Sequence, residues 1–437
     1  MKSLYLIPAL GLLVHAHANE ALEILEGKKD AADAVVTVAP DDAALIQGGT
    51  ADAADGKVTK PFVPSEPSAF SKKSHEIFDP IWAKTTIIKD DENPYIQELT
   101  MIGLFESDGA WGRVESTGAT TSSATNVNDF ALRRAQLGAR MKAFYRTEIT
   151  GLAELAGPSH MNGIQTLKAR TQISENYGVT AGKFRVLSTQ ENNMDDASLL
   201  TNERSLLSNM VAPADTLGVM LDAQNKDWTY RLGWFSGDNN DMIPGFEGDG
   251  LLNFGIAYEK NGKTETGVPL RSRWYMNYIH NLDQEDSEVL PRHHATTRKP
   301  YDAVVSTGFS IQQDRFGFLG DFTVARGDQS VWGMTLMPTY WIMPGTLQLV
   351  GRYHFADTDA ADALYGGFGT ATDPFFDQGA LLTGDEYHSF YFGANFHLYE
   401  NRMIISNGIE YSIFKDELDT GDETKSLLWQ SGARLSF

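Results

Sequence analysis

The chain contains no cysteine, so its fold is held without disulfides, and a small secreted scaffold stapled by them is excluded. Beyond its first residues it has no apolar run of about eighteen residues, the length a helix needs to cross a bilayer, which excludes a helical membrane protein. Nor is positive charge in excess. Acidic residues number 58 against 36 basic ones, a formal net charge of −22. That balance argues against a nucleic-acid partner, because phosphate backbones are held by Lys and Arg. These absences leave a β-barrel open, since alternating strands average to a mildly polar sequence, and the mean hydropathy is −0.30.

What is present starts with a leader. "MKSLYLIPALGLLVHAHA" carries Lys2, an apolar stretch from Leu4 to Val14 interrupted by Pro8, and Ala16-His17-Ala18 as a small-x-small cleavage site. This predicts a secretory signal over 1–18. Residues 19–60 are rich in Ala and Asp, with nine acidic residues against four lysines and little periodicity. They read as a mobile acidic periplasmic extension. A linker with Pro61, Pro64 and Pro67 completes the segment 19–92.

From about Tyr95 the pattern changes to period two. In "WTYRLGWF" Trp228, Tyr230, Leu232 and Trp234 share a face, and in "FYFGANFHL" Phe390, Phe392, Ala394, Phe396 and Leu398 do. The opposite face of each is small or polar. Sixteen such stretches are predicted as strands, near 96–106, 130–143, 147–155, 165–174, 178–186, 216–223, 227–236, 251–259, 271–281, 302–313, 316–326, 331–342, 346–356, 387–398, 403–414 and 424–437. Short connections such as "YEN", "MPG", "DR" and "FYR" alternate with longer ones, as the periplasmic turns and outer loops of an outer-membrane barrel do. The fold class read from the sequence is therefore all-β, a sixteen-stranded antiparallel transmembrane barrel over 93–437 in the outer membrane of a Gram-negative-type bacterium. Phe437, the last residue, closes the last strand on its lipid-facing side.

The segments "NPYIQELTMIG", "FALRRAQLGARMKAF" (Phe130 to Phe144) and "VTAGKFRVLSTQEN…LLTNERSLLSN" (Val179 to Asn209) resemble the phosphate-selective porin O/P family. The likeness spreads over most of 93–437 and rests on Arg133-Arg134, Gly182-Lys183-Phe184-Arg185, Glu191 and Glu203-Arg204-Ser205. It implies a homotrimeric channel that passes small anions such as phosphate, with outer-membrane lipid and lipopolysaccharide as its surroundings and no cofactor.

Strand alternation places Arg134, Arg140, Lys142, Lys168, Arg170, Lys183, Arg185, Arg231, Arg273, Arg352 and Arg434 on the inward face, against Glu98, Glu148, Glu154, Asp222, Asp321 and Glu410. That predicts a basic wall. Arg133 is counted with the pore-lining, anion-binding residues as well, although strict alternation puts it on the outward face and a local bulge or slip decides which arginine lines the pore. Arginine suits oxyanions because its planar fork pairs with them bidentately. The outer loop 187–215 is expected to fold inward and constrict the channel, with Glu203 and Arg204 as its charges to watch; an external loop contacting a neighbouring subunit is the alternative.

Other signals are weaker. "DTDAAD" at 357–362 has acidic spacing faintly like a calcium loop but lacks its glycine and distal glutamate, so it reads as a solvated loop; "KDELDTGDE" at 415–423 reads as another, with contact to divalent cations on lipopolysaccharide as its alternative, and His293-His294 is a poor metal site by itself, so no metal is expected. His388 and Ser389 are adjacent and point to opposite faces, so no hydrolase pairing arises and no enzyme is expected. Two alternatives to an anion-preferring porin stay open. One is a general or sugar-selecting porin, and the other is a structural or adhesion barrel.

Overall fold

The computed structural model describes residues 67–118, 122–156, 163–213, 215–237, 250–264, 268–282, 301–365 and 383–437. The expected signal peptide, the acidic extension, the start of the linker and His293-His294 lie outside the described residues.

Sixteen strands form the wall: β2 (Ile96–Thr117), β3 (Ser122–Ala143), β4 (Thr147–Glu154), β5 (Gly163–Gln172), β6 (Tyr177–Phe184), β7 (Thr216–Asn225), β8 (Trp228–Phe235), β9 (Leu251–Lys263), β10 (Pro269–Asn281), β11 (Tyr301–Gln313), β12 (Phe316–Gly327), β13 (Ser330–Met343), β14 (Leu347–Thr358), β17 (Glu386–Tyr399), β18 (Met403–Asp416) and β19 (Asp422–Ser436). Each pairs antiparallel with the next. β19 returns to β2, with Glu423 opposite Thr117 and Ser436 opposite Leu104, so the sheet is closed. A two-stranded ribbon of β15 (Leu364–Tyr365) and β16 (Thr383–Gly384) lies outside the wall's pairing.

Every strand expected from the alternation is present, and most ends agree within two residues. The exception is instructive. β2 and β3 are each 22 residues long, so residues 107–129, expected as an outer loop, are mostly paired strand. About ten tilted residues suffice to cross a bilayer. The hairpin therefore continues past the membrane, and its far part, "SSATNVND", is polar.

Closure matters because hydrocarbon offers no partner to a bare backbone group. The outward face is correspondingly greasy: Phe392 is 64% exposed, Ile409 55% and Trp429 54%. Inward neighbours on the same strands, Asn395, Ser412 and Gln430, are buried polar groups. A belt of this size would drive aggregation in water, but it is the surface a bilayer requires. Exposed aromatics at the short-turn end, among them Tyr95, Phe144, Tyr145, Trp228 and Tyr340, fit an interfacial girdle. Among the described residues no helix is long and apolar enough to cross a membrane; the crossing is made by strands.

The closing seam depends on Phe437. Its N–H donates to Gly103 O at 3.0 Å, and Gly103 N–H donates back to Phe437 O at 2.9 Å. A Cβ at Gly103 would meet the Phe437 ring at 2.5 Å. Gly103→Val therefore pushes the ring off the seam at a cost of about 1–3 kcal/mol, as overpacking does. The expected readout is a lower temperature for the heat-induced mobility shift on gels; an unchanged temperature shows that the ring is not holding the seam.

The end of the expected linker is structured. Helix α1 (Ala69–Trp82) is capped by Ser68, whose hydroxyl accepts from Ser71 N–H at 3.0 Å. His75, Phe78 and Trp82 surround the Tyr399 ring at 5.4, 5.3 and 4.9 Å. Trp82 Nε1 donates to Ser436 O at 2.8 Å. The short strand β1 (Thr86–Lys89) then pairs with β2 at Glu98 to Thr100, on the edge that β19 leaves bare after Ser436. An unpaired edge at a membrane boundary is a liability, and β1 covers it.

Candidate functional site

The lumen is crossed by the connection between β6 and β7. Within it lie α2 (Gln190–Asn193), a 3-10 turn at Asp196–Ser198 and α3 (Leu206–Val211). Its apolar side chains Leu206, Leu207, Met210 and Val211 pack in one buried cluster with Phe184 and Phe235 of the wall. A second cluster joins Met194 and Leu199 to Leu319, Met337, Val350 and Tyr391. Burial of these side chains is what turns the loop inward, as the sequence led one to expect.

Polar anchors fix it at several places round the ring. Asn253 Nδ2 donates to Leu187 O at 2.8 Å and Asn277 Nδ2 to Ser188 O at 2.6 Å. Gln190 N–H donates to Asp321 Oδ2 at 2.7 Å. Further round, Asn395 Nδ2 donates to Leu200 O at 2.9 Å, and Arg434 reaches Leu199 O at 2.6 Å and Thr201 O at 2.9 Å. Leu207 N–H donates to His354 Nε2 at 3.3 Å, which requires a neutral imidazole there.

The two arginines of "LRRA" both point inward, through the bulge that the sequence left open at Arg133. Arg134 is opposite Glu106 and Leu132 opposite Ser107, so Arg133 is the extra residue of a bulge. A bulge sends two consecutive side chains to one side. It also shifts the phase of the rest of β3, so Phe130 and Leu132 face outward, 64% and 50% exposed. Arg133 pairs with Asp108 at 3.2 Å and with Glu203. Arg134 pairs with Glu106 and with Asp196 at 3.1 Å.

Lys183 is a correction. It stands opposite Leu167 and Leu217, on the outward phase of β6, and Phe184, expected toward lipid, is 2% exposed against Phe235. Within the strand the phase is inverted, because its aromatic belongs to the core beneath the loop, whereas Arg185 lies past the strand's end at Phe184 and turns inward to the loop. A lysine at a strand end can carry its charge to the interface on its long stem.

The remaining predicted residues are inward. Arg170 pairs with Asp222 at 2.7 Å, and Arg231 stands opposite Asp222 in the ladder. Arg140 is opposite Thr100 and Lys168 opposite Thr150. Arg185 donates to Asn192 O at 2.9 Å and Met194 O at 2.8 Å, with Asp196 and Asp215 each at 3.5 Å. Arg352 sits between Glu410 at 3.0 Å and Glu191 at 3.4 Å and donates to Glu203 O at 2.7 Å. Arg204 pairs with Asp196 and donates to Glu191 O at 2.9 Å. Burial pushes the Asp196 carboxyl up, but Arg134, Arg204 and Arg185 outweigh it and hold it well below the usual carboxylate range.

Sequence reasoning missed the acids. Glu106 and Asp108, 0% and 1% exposed, lie where β2 was expected to end, although the alternation Leu104, Glu106, Asp108, Ala110 runs on past that point. Asp196 and Asp215 belong to the loop and had no strand phase to reveal them. With these four, Glu191 and Glu203 added, acids in the lumen draw level with bases, and the expected excess of positive charge is corrected. What survives is a distribution. Arg140, Lys142, Lys168, Arg170, Arg231 and Arg273 occupy the arc from β3 to β10, none more than four residues from the short-turn end of its strand.

No protein-family model matches the chain, and no curated protein sequence does. Solved structures similar in shape include the anion-selective porin from Comamonas acidovorans, 11% identical with a TM-score of 0.48 over 78% of this chain and 99% of that one. The outer membrane channel DcaP of Acinetobacter baumannii is 13% identical, with a TM-score of 0.47 over 78% and 97%. OmpF of Salmonella typhi in complex with daunomycin is 12% identical, with a TM-score of 0.48 over 80% and 99%. At these values the likeness is one of barrel shape, and the roles of individual residues rest on this chain's own geometry.

Proposed function

We propose that the protein is an outer-membrane diffusion channel for small water-soluble solutes. The observation that carries this reading is the closed sixteen-stranded wall, apolar outside and polar inside, with a constricting loop tied across it. A barrel of this strand number encloses an aqueous lumen rather than a filled core. The finer reading is a preference for anions such as phosphate, supported by the basic arc at the short-turn end: fixed positive charge in a narrow pore raises the local anion concentration. Assembly as a homotrimer among lipid and lipopolysaccharide belongs to the same reading and comes from the family resemblance.

A second reading, a general porin with little charge preference, is favoured by the pairing of Arg133, Arg134, Arg352 and Arg434 with carboxylates at the constriction. Reversal potentials across bilayers in a potassium chloride gradient separate the two. The anion reading expects a permeability ratio above one that falls when Lys168 and Arg170 are both changed to Gln. The effect is expected to shrink at high salt, where the Debye length drops to about 3 Å at 1 M. A ratio near one in the unaltered protein, with no change in the variant, leaves the general porin.

A further inference from the structure

We propose that the outer mouth carries a divalent-cation site formed by Asp362, Asp416 and Asp419, and that calcium is the ion it takes. The three residues come from separate stretches, one following β14 and the other closing the hairpin of β18 and β19. The fold brings one carboxylate oxygen from each within 4.8 Å of the others. Exposed acids often cluster without binding anything, and Asp362 and Asp419 are exposed. Asp416 is different. It is 5% exposed, and its Oδ2 accepts from Thr420 N–H at 3.0 Å and Thr420 Oγ1 at 2.7 Å. Its Oδ1 is shut off from water with no hydrogen-bond partner.

A buried carboxylate oxygen without a donor is costly, and two further carboxylates beside it raise that cost by repulsion. Neither stretch can neutralise the group, since 357–365 and 416–422 contain no Lys or Arg. The flanking lysines are engaged elsewhere, Lys415 with Glu386 and Lys425 with Glu423. Asp385, buried and accepting from Leu418 N–H, adds another negative charge nearby.

An all-oxygen, all-carboxylate set selects a hard cation. Calcium tolerates irregular geometry and fills its remaining positions with water, whereas magnesium demands a near-ideal octahedron and gives up its waters reluctantly. Three carboxylates from two irregular connections suit calcium. The bound ion ties the stretch after β14 to the last hairpin and neutralises the rim. An affinity of about 1 mM is enough outside the cell, as in other extracellular modules.

Equilibrium dialysis against radioactive calcium tests this on full-length protein refolded in detergent, free of lipopolysaccharide, which binds calcium itself. The expected result is one saturable site in the unaltered protein and in the control Glu417→Gln. In Asp416→Asn it weakens by about tenfold or more, since calcium affinity follows the number of ligand charges. Asp362→Asn and Asp419→Asn change exposed side chains and carry the same test should Asp416→Asn not refold. Absence of saturable binding in the unaltered protein, equal binding in all three Asn variants, or equally tight binding of magnesium overturns the proposal.

Discussion

Excision of residues 189–211, with a short Gly-Ser join, raises single-channel conductance several-fold in planar bilayers. The wall closes through its own ladder, so its pairing is left untouched, while the segment lying across the lumen is gone. Arg134, Arg352 and Arg434 lose loop partners, but in the emptied lumen they meet water rather than a dry pocket, so the barrel still assembles. The excised stretch contains Glu191, Asp195, Asp196 and Glu203 against the single base Arg204. The wider channel is therefore also more basic, and its anion-to-cation permeability ratio rises. An unchanged conductance would mean that the loop lies off the path of the current.

Arg352→Gln has the largest expected effect on stability. The guanidinium is 3% exposed and lies between Glu191 and Glu410, and Glu410 also accepts from Gln430 Nε2 at 2.7 Å. Removing one partner of a buried ion pair costs about 3–5 kcal/mol, because the other charge is left uncompensated. The low end is expected here, since water can enter a lumen. Unfolding in urea, followed by tryptophan fluorescence, measures it. Adding Glu410→Gln to the variant recovers part of the loss by removing the stranded charge, a coupling expected of side chains in contact. Full stability in Arg352→Gln alone would show that the group is solvated already.

The wall was legible because its rule is local. Alternation of two, read in "FYFGANFHL" or "WTYRLGWF", depends only on which side meets hydrocarbon, and that condition is the same for every strand. The places where the reading failed are those where something other than lipid set the phase. Phe184 is an aromatic that packs on the loop, so treating every aromatic as lipid-facing put Lys183 on the wrong side. Arg133 points inward because of one extra residue, and "LRRA" left open whether a bulge stands there. β2 was cut short because Gly109 and Gly112 dilute its apolar pattern, which hid Asp108. The acids of 190–215 have no periodicity, and their meeting with Arg133, Arg134 and Arg352 is a product of tertiary folding alone.

The loop's attachments have a mechanical consequence. A closed sheet one strand thick resists stretching along its hydrogen bonds, yet it is soft to ovalisation, because flattening the ring costs only small changes in twist between neighbours. Here the ring is tied to one interior body at three arcs: covalently at β6 and β7, through Asn253, Asn277 and Asp321 on β9, β10 and β12, and through Arg352, Asn395 and Arg434 on β14, β17 and β19. Three struts meeting at a hub hold a circle round where two would only set one diameter. The loop that narrows the passage is thus also its brace, and lateral tension in the surrounding bilayer is borne by the hub before it can change the opening.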